Sequence, residues 1–155
     1  MESKPTPTIG ANKKKISEEA LEKFINPDHL IMNWQSVVKL DKLGKQKIDR
    51  IIVLTRHQIL ILYDGVLELE IKSMLDIKFL HYAIRSKQKN CNELMLIFNN
   101  KGKSCMQIIL DENLSEFFDL LKLRWASFNP QKTLKVFAVP DTSLLPYLPD
   151  AKYNI

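Results

Sequence analysis

The chain has 155 residues, of which 45% are hydrophobic and 26% charged, the size of one domain and the balance of an ordinary globular protein. No apolar run approaches the roughly 20 residues needed to span a bilayer, and the two cysteines, Cys91 and Cys105, lack the paired spacing of a zinc or redox motif. A formal net charge of +5 turns the surface toward anionic partners, whether lipid headgroups, nucleic acid or an acidic protein face.

The segment 1–15, MESKPTPTIGANKKK, has little to bury and is expected to be a flexible basic arm. It lacks the apolar middle of a secretion signal and opens with an acid, so a cytoplasmic address is expected. A short helix is predicted over 16–26: Ser17 suits the N-cap, Glu18 and Glu19 suit the positive end of the helix dipole, and Pro27 stops it.

From His29 the period changes to two, with Leu30, Met32, Trp34, Val38 and Leu40 on one face and Asn33, Gln35 and Lys39 on the other. A turn centred on Gly44 leads to IDRIIVLT, apolar enough to be buried on both sides. RHQ then makes a tight connection to ILILY, and Asp64-Gly65 turns that strand into VLELEI. A second meander follows in IKFLHYAI, ELMLIF and SCMQIIL, joined by loops rich in Asn, Lys and Gly. Leu114, Phe117, Phe118, Leu121, Trp125 and Phe128 then recur at helical spacing up to Pro130.

The tail 129–155 carries prolines that forbid a long regular element, yet Phe137, Val139, Leu144, Leu145, Tyr147 and Leu148 are too apolar for an indifferent linker. It lies back on its own domain or docks on a partner, for which those six residues are the candidates.

The stretch KLDKLGKQKIDR gathers Lys39, Lys42, Lys45, Lys47 and Arg50 around one glycine, with Asp41 and Asp49 subtracting from their charge. Such a cluster suits adhesion to acidic lipids, at about 1 kcal/mol for each lysine near an anionic surface; it equally suits the solvated tip of a hairpin. A second basic set, Arg85, Lys87 and Lys89, belongs to a segment from Ile77 to Asn92 that contains no acid. If that loop lies beside the first turn, the two form one positive rim. No aromatic residues are interleaved with these lysines as a base-stacking platform would require, which argues against nucleic acid. His29, His57 and His81 are scattered, without a carboxylate or second histidine at ligand spacing, and the four glycines form no phosphate loop. No catalytic residue, metal site or cofactor is expected.

Seven strands in two meanders followed by one amphipathic helix is the element order of the pleckstrin homology (PH) superfold, and the segment 28–128 resembles it. The resemblance implies a mostly β fold, a seven-stranded bent sandwich or barrel capped by its C-terminal helix. Within that superfold, KQKIDRIIVLTRHQILILYDG followed by a glutamate-rich strand looks like the tail homology domain of class I myosins, without the motor. That likeness implies a non-catalytic adaptor that docks on phosphoinositides or other acidic phospholipids through the loop between strands one and two. In its pattern a lysine near the end of strand one precedes a basic-x-arginine pair in strand two; Lys39 and Arg50 match the outer positions, and Ile48 stands where the middle basic residue would be. The other reading of the same module is a structural subunit of a cytoskeletal, even ciliary, assembly, docked through the tail. The expected place of the protein is accordingly cytoplasmic, at the membrane periphery or on the cytoskeleton.

Overall fold

The computed structural model describes residues 30–40, 46–64, 69–109 and 114–148; the expected arm 1–15 and helix 16–26 lie outside them. Eight strands are formed, β1 (Leu30–Leu40), β2 (Lys47–Thr55), β3 (Gln58–Asp64), β4 (Leu69–Asp76), β5 (Leu80–Ser86), β6 (Glu93–Asn99), β7 (Lys103–Ile109) and β8 (Lys135–Val139), with one helix, α1 (Leu114–Phe128), between the last two. The strand order is β4-β3-β2-β1-β7-β6-β5-β8. Two antiparallel meanders thus stand side by side, joined by β1 against β7, which among the described residues are registered at Val38 and Ile109, and the sheet bends so that both meanders pack on one helix.

The helix closes this bend as the 3.6-residue stripe demands. Leu114, Phe117, Phe118, Leu121 and Trp125 are buried against Ile52, Leu54, Ile59 and Ile61 of the first meander and Leu80, Leu94, Leu96, Phe98 and Ile108 of the second. Full burial of a large apolar side chain contributes about 1.5–3 kcal/mol, so this stripe is the main bond between the meanders. Its end is fixed by polarity as well: the Trp125 indole N–H donates to the Leu80 carbonyl at 2.8 Å, a buried bond that ties the last turns of α1 to the start of β5. At the other meander, Arg124 Nε donates to the Arg56 carbonyl at 3.1 Å in the β2–β3 turn. That turn is held by Thr55, whose buried hydroxyl oxygen accepts from the backbone N–H groups of His57 and Gln58 at 3.1 and 2.8 Å.

Two expectations are corrected. The alternation read along strand one does not run through unbroken: Trp34 pairs with Ile52 and Val37 with Arg50, so β1 spends one more residue than β2 over this stretch and bulges. A single extra residue sends every later side chain to the opposite face. Lys39, expected among the solvated positions, is in consequence 7% exposed. The strand expected to end at Ile71 instead continues to Asp76, and only then does a 3-10 turn, Ile77–Phe79, cross to the second meander.

The tail adds what the element count left open. Beyond the helix, Asn129 caps the Trp125 carbonyl through both its backbone N–H and its side-chain amide, each at 3.1 Å, and Gln131 adopts a left-handed φ of 67°. The chain reverses there and returns as β8, parallel to β5 from Tyr82–Lys135 to Ser86–Val139.

Candidate functional site

The relative placement of the two basic loops follows from the sheet register. Glu93, the first residue of β6 after the β5–β6 loop, pairs with Ile109; Ile109 pairs with Val38, and Val38 with Asp49. These four residues form one row across β6, β7, β1 and β2. With strands about 4.8 Å apart, the foot of the β5–β6 loop is about 10 Å from the end of β1 and about 15 Å from β2. Beyond this row β6 runs the same way as β1, so the loop 87–92, which precedes Glu93, leaves the sheet at the end opposite to the β1–β2 hairpin. The joint rim expected of these two basic loops is not formed, and the hairpin that shares the β1–β2 end is the one between β6 and β7.

The candidate residues therefore divide. Lys47 is exposed at the β1–β2 end of the sheet, where Lys101 and Lys103 of the β6–β7 hairpin are exposed as well, and Lys87 and Lys89 are exposed at the opposite end. Lys42 and Lys45 lie outside the described residues. Lys39 is buried near the Cys105 thiol, which burial pushes up to about 12 while the Lys39 charge pulls it partly back. A thiol so raised stays protonated at neutral pH and is no nucleophile. Arg50 is half-buried and lies against the surface of the first meander: its guanidinium is 5.3 Å from the centroid of the Tyr63 ring, and Nη1 donates to the Asp49 carbonyl at 2.9 Å. Tyr63 in turn donates its hydroxyl to Glu70 Oε1 at 3.0 Å across the β3–β4 pair. That hydrogen bond and the Glu70 charge raise the phenol above its ordinary range, with Arg50 opposing. Arg85 turns toward the helix, its guanidinium 5.7 Å from the Phe118 ring centroid. Among the described residues, the lysines open to a ligand at the β1–β2 end are Lys47, Lys101 and Lys103.

The β5–β6 loop is held by the tail. Lys87 N donates to the Val139 carbonyl at 2.7 Å, and Gln88 Nε2 to the Pro140 carbonyl at 3.0 Å. The Ser86 hydroxyl donates to the Asp141 carbonyl and accepts from Gln88 N. At the loop's far foot, Glu93 Oε1 accepts from Leu144 N at 2.8 Å. Leu144 itself is fully buried with Ile84, Met95, Ile97 and Cys105, and Val139, Tyr147 and Leu148 pack partly buried against that cluster. The outer face of the second meander is thereby covered, and the tail's candidate residues divide: Leu144 belongs to the domain's own core, Val139, Tyr147 and Leu148 border it, and Phe137 and Leu145 remain 46% and 44% exposed. Nothing in the local sequence of the loop signals this strap; its partners are more than fifty residues away.

Among the described residues no helix is long and apolar enough to cross a membrane. No family model matches the chain, and no curated protein matches it at the sequence level. Solved structures do match. The hSac2 domain of human phosphoinositide phosphatase Sac2 superposes with a TM-score of 0.57 at 10% identity, over 78% of this chain and 84% of that one. The Slm1 PH domain, described for ligand binding in a non-canonical site, superposes with a TM-score of 0.52 at 16% identity, over 63% of this chain and 98% of its own. A second Slm1 PH structure, in complex with D-myo-inositol 4-phosphate, gives 0.50 at 18% identity over 62% and 95%. The fold is PH-like: mostly β, seven strands capped by one C-terminal helix, as the element order implied. The eighth strand is this chain's addition to that frame.

Proposed function

We propose that the domain is a non-catalytic binding module that associates peripherally with acidic phospholipids, phosphoinositides among them, through the basic loop between β1 and β2. The observation that supports this reading is that β1 and β6 run the same way, so that exposed Lys47 of the β1–β2 hairpin and exposed Lys101 and Lys103 of the β6–β7 hairpin lie at one end of the sheet. The Slm1 PH domain, of the same fold, is described with inositol 4-phosphate and with a ligand in a non-canonical site. In this chain, of the residues of the myosin-like pattern, Lys39 is buried and Arg50 stacks on Tyr63, and Ile48 replaces the middle basic residue. The reading therefore rests on Lys47 with Lys101 and Lys103, and recognition is by accumulated charge more than by a fitted headgroup pocket. Kinship to class I myosin tails belongs to the same proposal and rests on the run KQKIDRIIVLT alone.

The test is partition of the full chain onto phosphatidylcholine vesicles with and without phosphatidylserine or a phosphoinositide. Binding is expected only to the acidic vesicles and should fall steeply as salt rises, since exposed charge is screened over about 10 Å at 0.1 M. Equal binding to neutral vesicles, or none to acidic ones at low salt, contradicts the proposal.

A further inference from the structure

Strand β8 ends the sheet, and among the described residues it pairs only with β5. Its hydrogen-bonding parity is fixed by one bond, Lys87 N to the Val139 carbonyl. In a parallel ladder the residues that turn both main-chain groups toward the neighbour alternate with those that turn both away. Val139, Phe137 and Lys135 therefore face β5, and Val136 and Ala138 present their N–H and C=O groups outward. Residues 135–138 are all exposed, with Val136 at 38% and Phe137 at 46%. An exposed apolar edge is a template for another strand. Lys135 at one end and Pro140 at the other limit the template to a short window.

Beside this edge lies a cleft of about 990 Å³, at the upper end of the usual range for ligand sites. Tyr82, Trp125, Phe137 and Tyr147 give it aromatic walls, and Lys132 and Lys135 give it charge. Among the described residues no carboxylate side chain lines it, and that of Asp141 stands behind the Tyr147 wall, accepting from its hydroxyl. Ile84 and Phe137 are register partners, as are Tyr82 and Lys135, so the cleft follows the outer face of β5 and β8, and alternate side chains of a strand added to β8 fall on that same face. Aromatic walls select apolar side chains, and lysines without a lining acid select carboxylates.

We propose that the outer edge of β8, with this cleft, takes an extended peptide carrying an acidic and an apolar residue two positions apart as an added strand, so that both fall on the face of Lys135 and Phe137. Main-chain bonds to Val136 and Ala138 hold the peptide, its apolar side chain packs on the edge-to-face pair of Tyr82 and Phe137, and its carboxylate meets Lys132 and Lys135. The site is separate from the lipid-facing lysines and does not depend on them.

The test selects a random peptide library displayed on phage against the full chain, then measures the enriched synthetic peptides against variants. Ala138→Pro removes an outward N–H while leaving the ladder to β5 intact; the paired substitution Lys132→Glu with Lys135→Glu changes only exposed residues. Selection is expected to yield sequences with an acidic and an apolar residue two positions apart, whose affinity falls tenfold or more in each variant, with binding of Ala138→Pro to acidic vesicles unchanged. No enrichment, a basic consensus, or peptides that bind both variants as tightly as the natural chain would overturn the proposal. So would a loss of vesicle binding in Lys132→Glu/Lys135→Glu without any selected peptide, which would give the cleft to the membrane.

Discussion

Leu144→Ala is expected to lower the unfolding free energy of the domain by about 2–5 kcal/mol, the range for emptying a buried leucine site. Leu144 is fully buried among side chains of three strands, Ile84 of β5, Met95 and Ile97 of β6 and Cys105 of β7, so truncation leaves a cavity in a layer with no other source of cover among the described residues. The consequence is not confined to stability. Leu144 N is bonded to Glu93, and the preceding tail residues hold Ser86, Lys87 and Gln88. Loosening the leucine loosens both feet of the β5–β6 loop. Chemical denaturation should give a lower midpoint, and hydrogen exchange at the Lys87 amide should speed up. An unchanged midpoint with unchanged exchange would mean that the tail is an appendage, and the strap described above would not exist.

Joint replacement of Lys47, Lys101 and Lys103 by glutamate is expected to abolish binding to acidic vesicles while leaving the fold intact. Each exposed lysine near an anionic surface supplies about 1 kcal/mol, so loss of three removes about 3 kcal/mol, more than a hundredfold in partition, before repulsion by the new carboxylates is counted. All three side chains are exposed, and surface substitutions of this kind shift stability by no more than about 0.5 kcal/mol each. Sedimentation with phosphatidylserine vesicles and a thermal melt on the same samples separate the two effects. Retained binding by the triple variant would move the membrane contact elsewhere; lost binding together with a collapsed melt would mean that these lysines are structural.

What could be seen in the sequence was what local periodicity encodes. The stripe from Leu114 to Trp125 repeats at helical spacing because one face of a helix must be apolar to seal a bent sheet, and all five of its buried members were legible. The turn at Arg56-His57 was likewise marked by the change between two apolar runs. The position of Lys39 was not, because a bulge is a disagreement between two paired strands and leaves no mark in either one alone. Arg85 and Lys87 look alike as members of an acid-free basic stretch, yet period two along β5 sends the arginine toward Phe118, and the lysine lies past the strand's end. The tail's return was beyond reach for a different reason. KVFAV is a short apolar run that any groove would suit, and its partner, β5, lies some fifty residues earlier. Pairings at that separation depend on where the helix deposits the chain, which Asn129 and Gln131 decide with backbone geometry.

The central claim is that two basic loops, far apart in the sequence, act as one anionic-headgroup surface. Amide chemical-shift mapping during titration of the isotopically labelled full chain with a soluble inositol polyphosphate tests this most directly. The account predicts that the amides of residues 47–50 and of residues 101–104 shift together, with one shared saturation curve that weakens as salt is added. Shifts confined to one of the two segments, or centred on the β8 cleft with both loops silent, would contradict it.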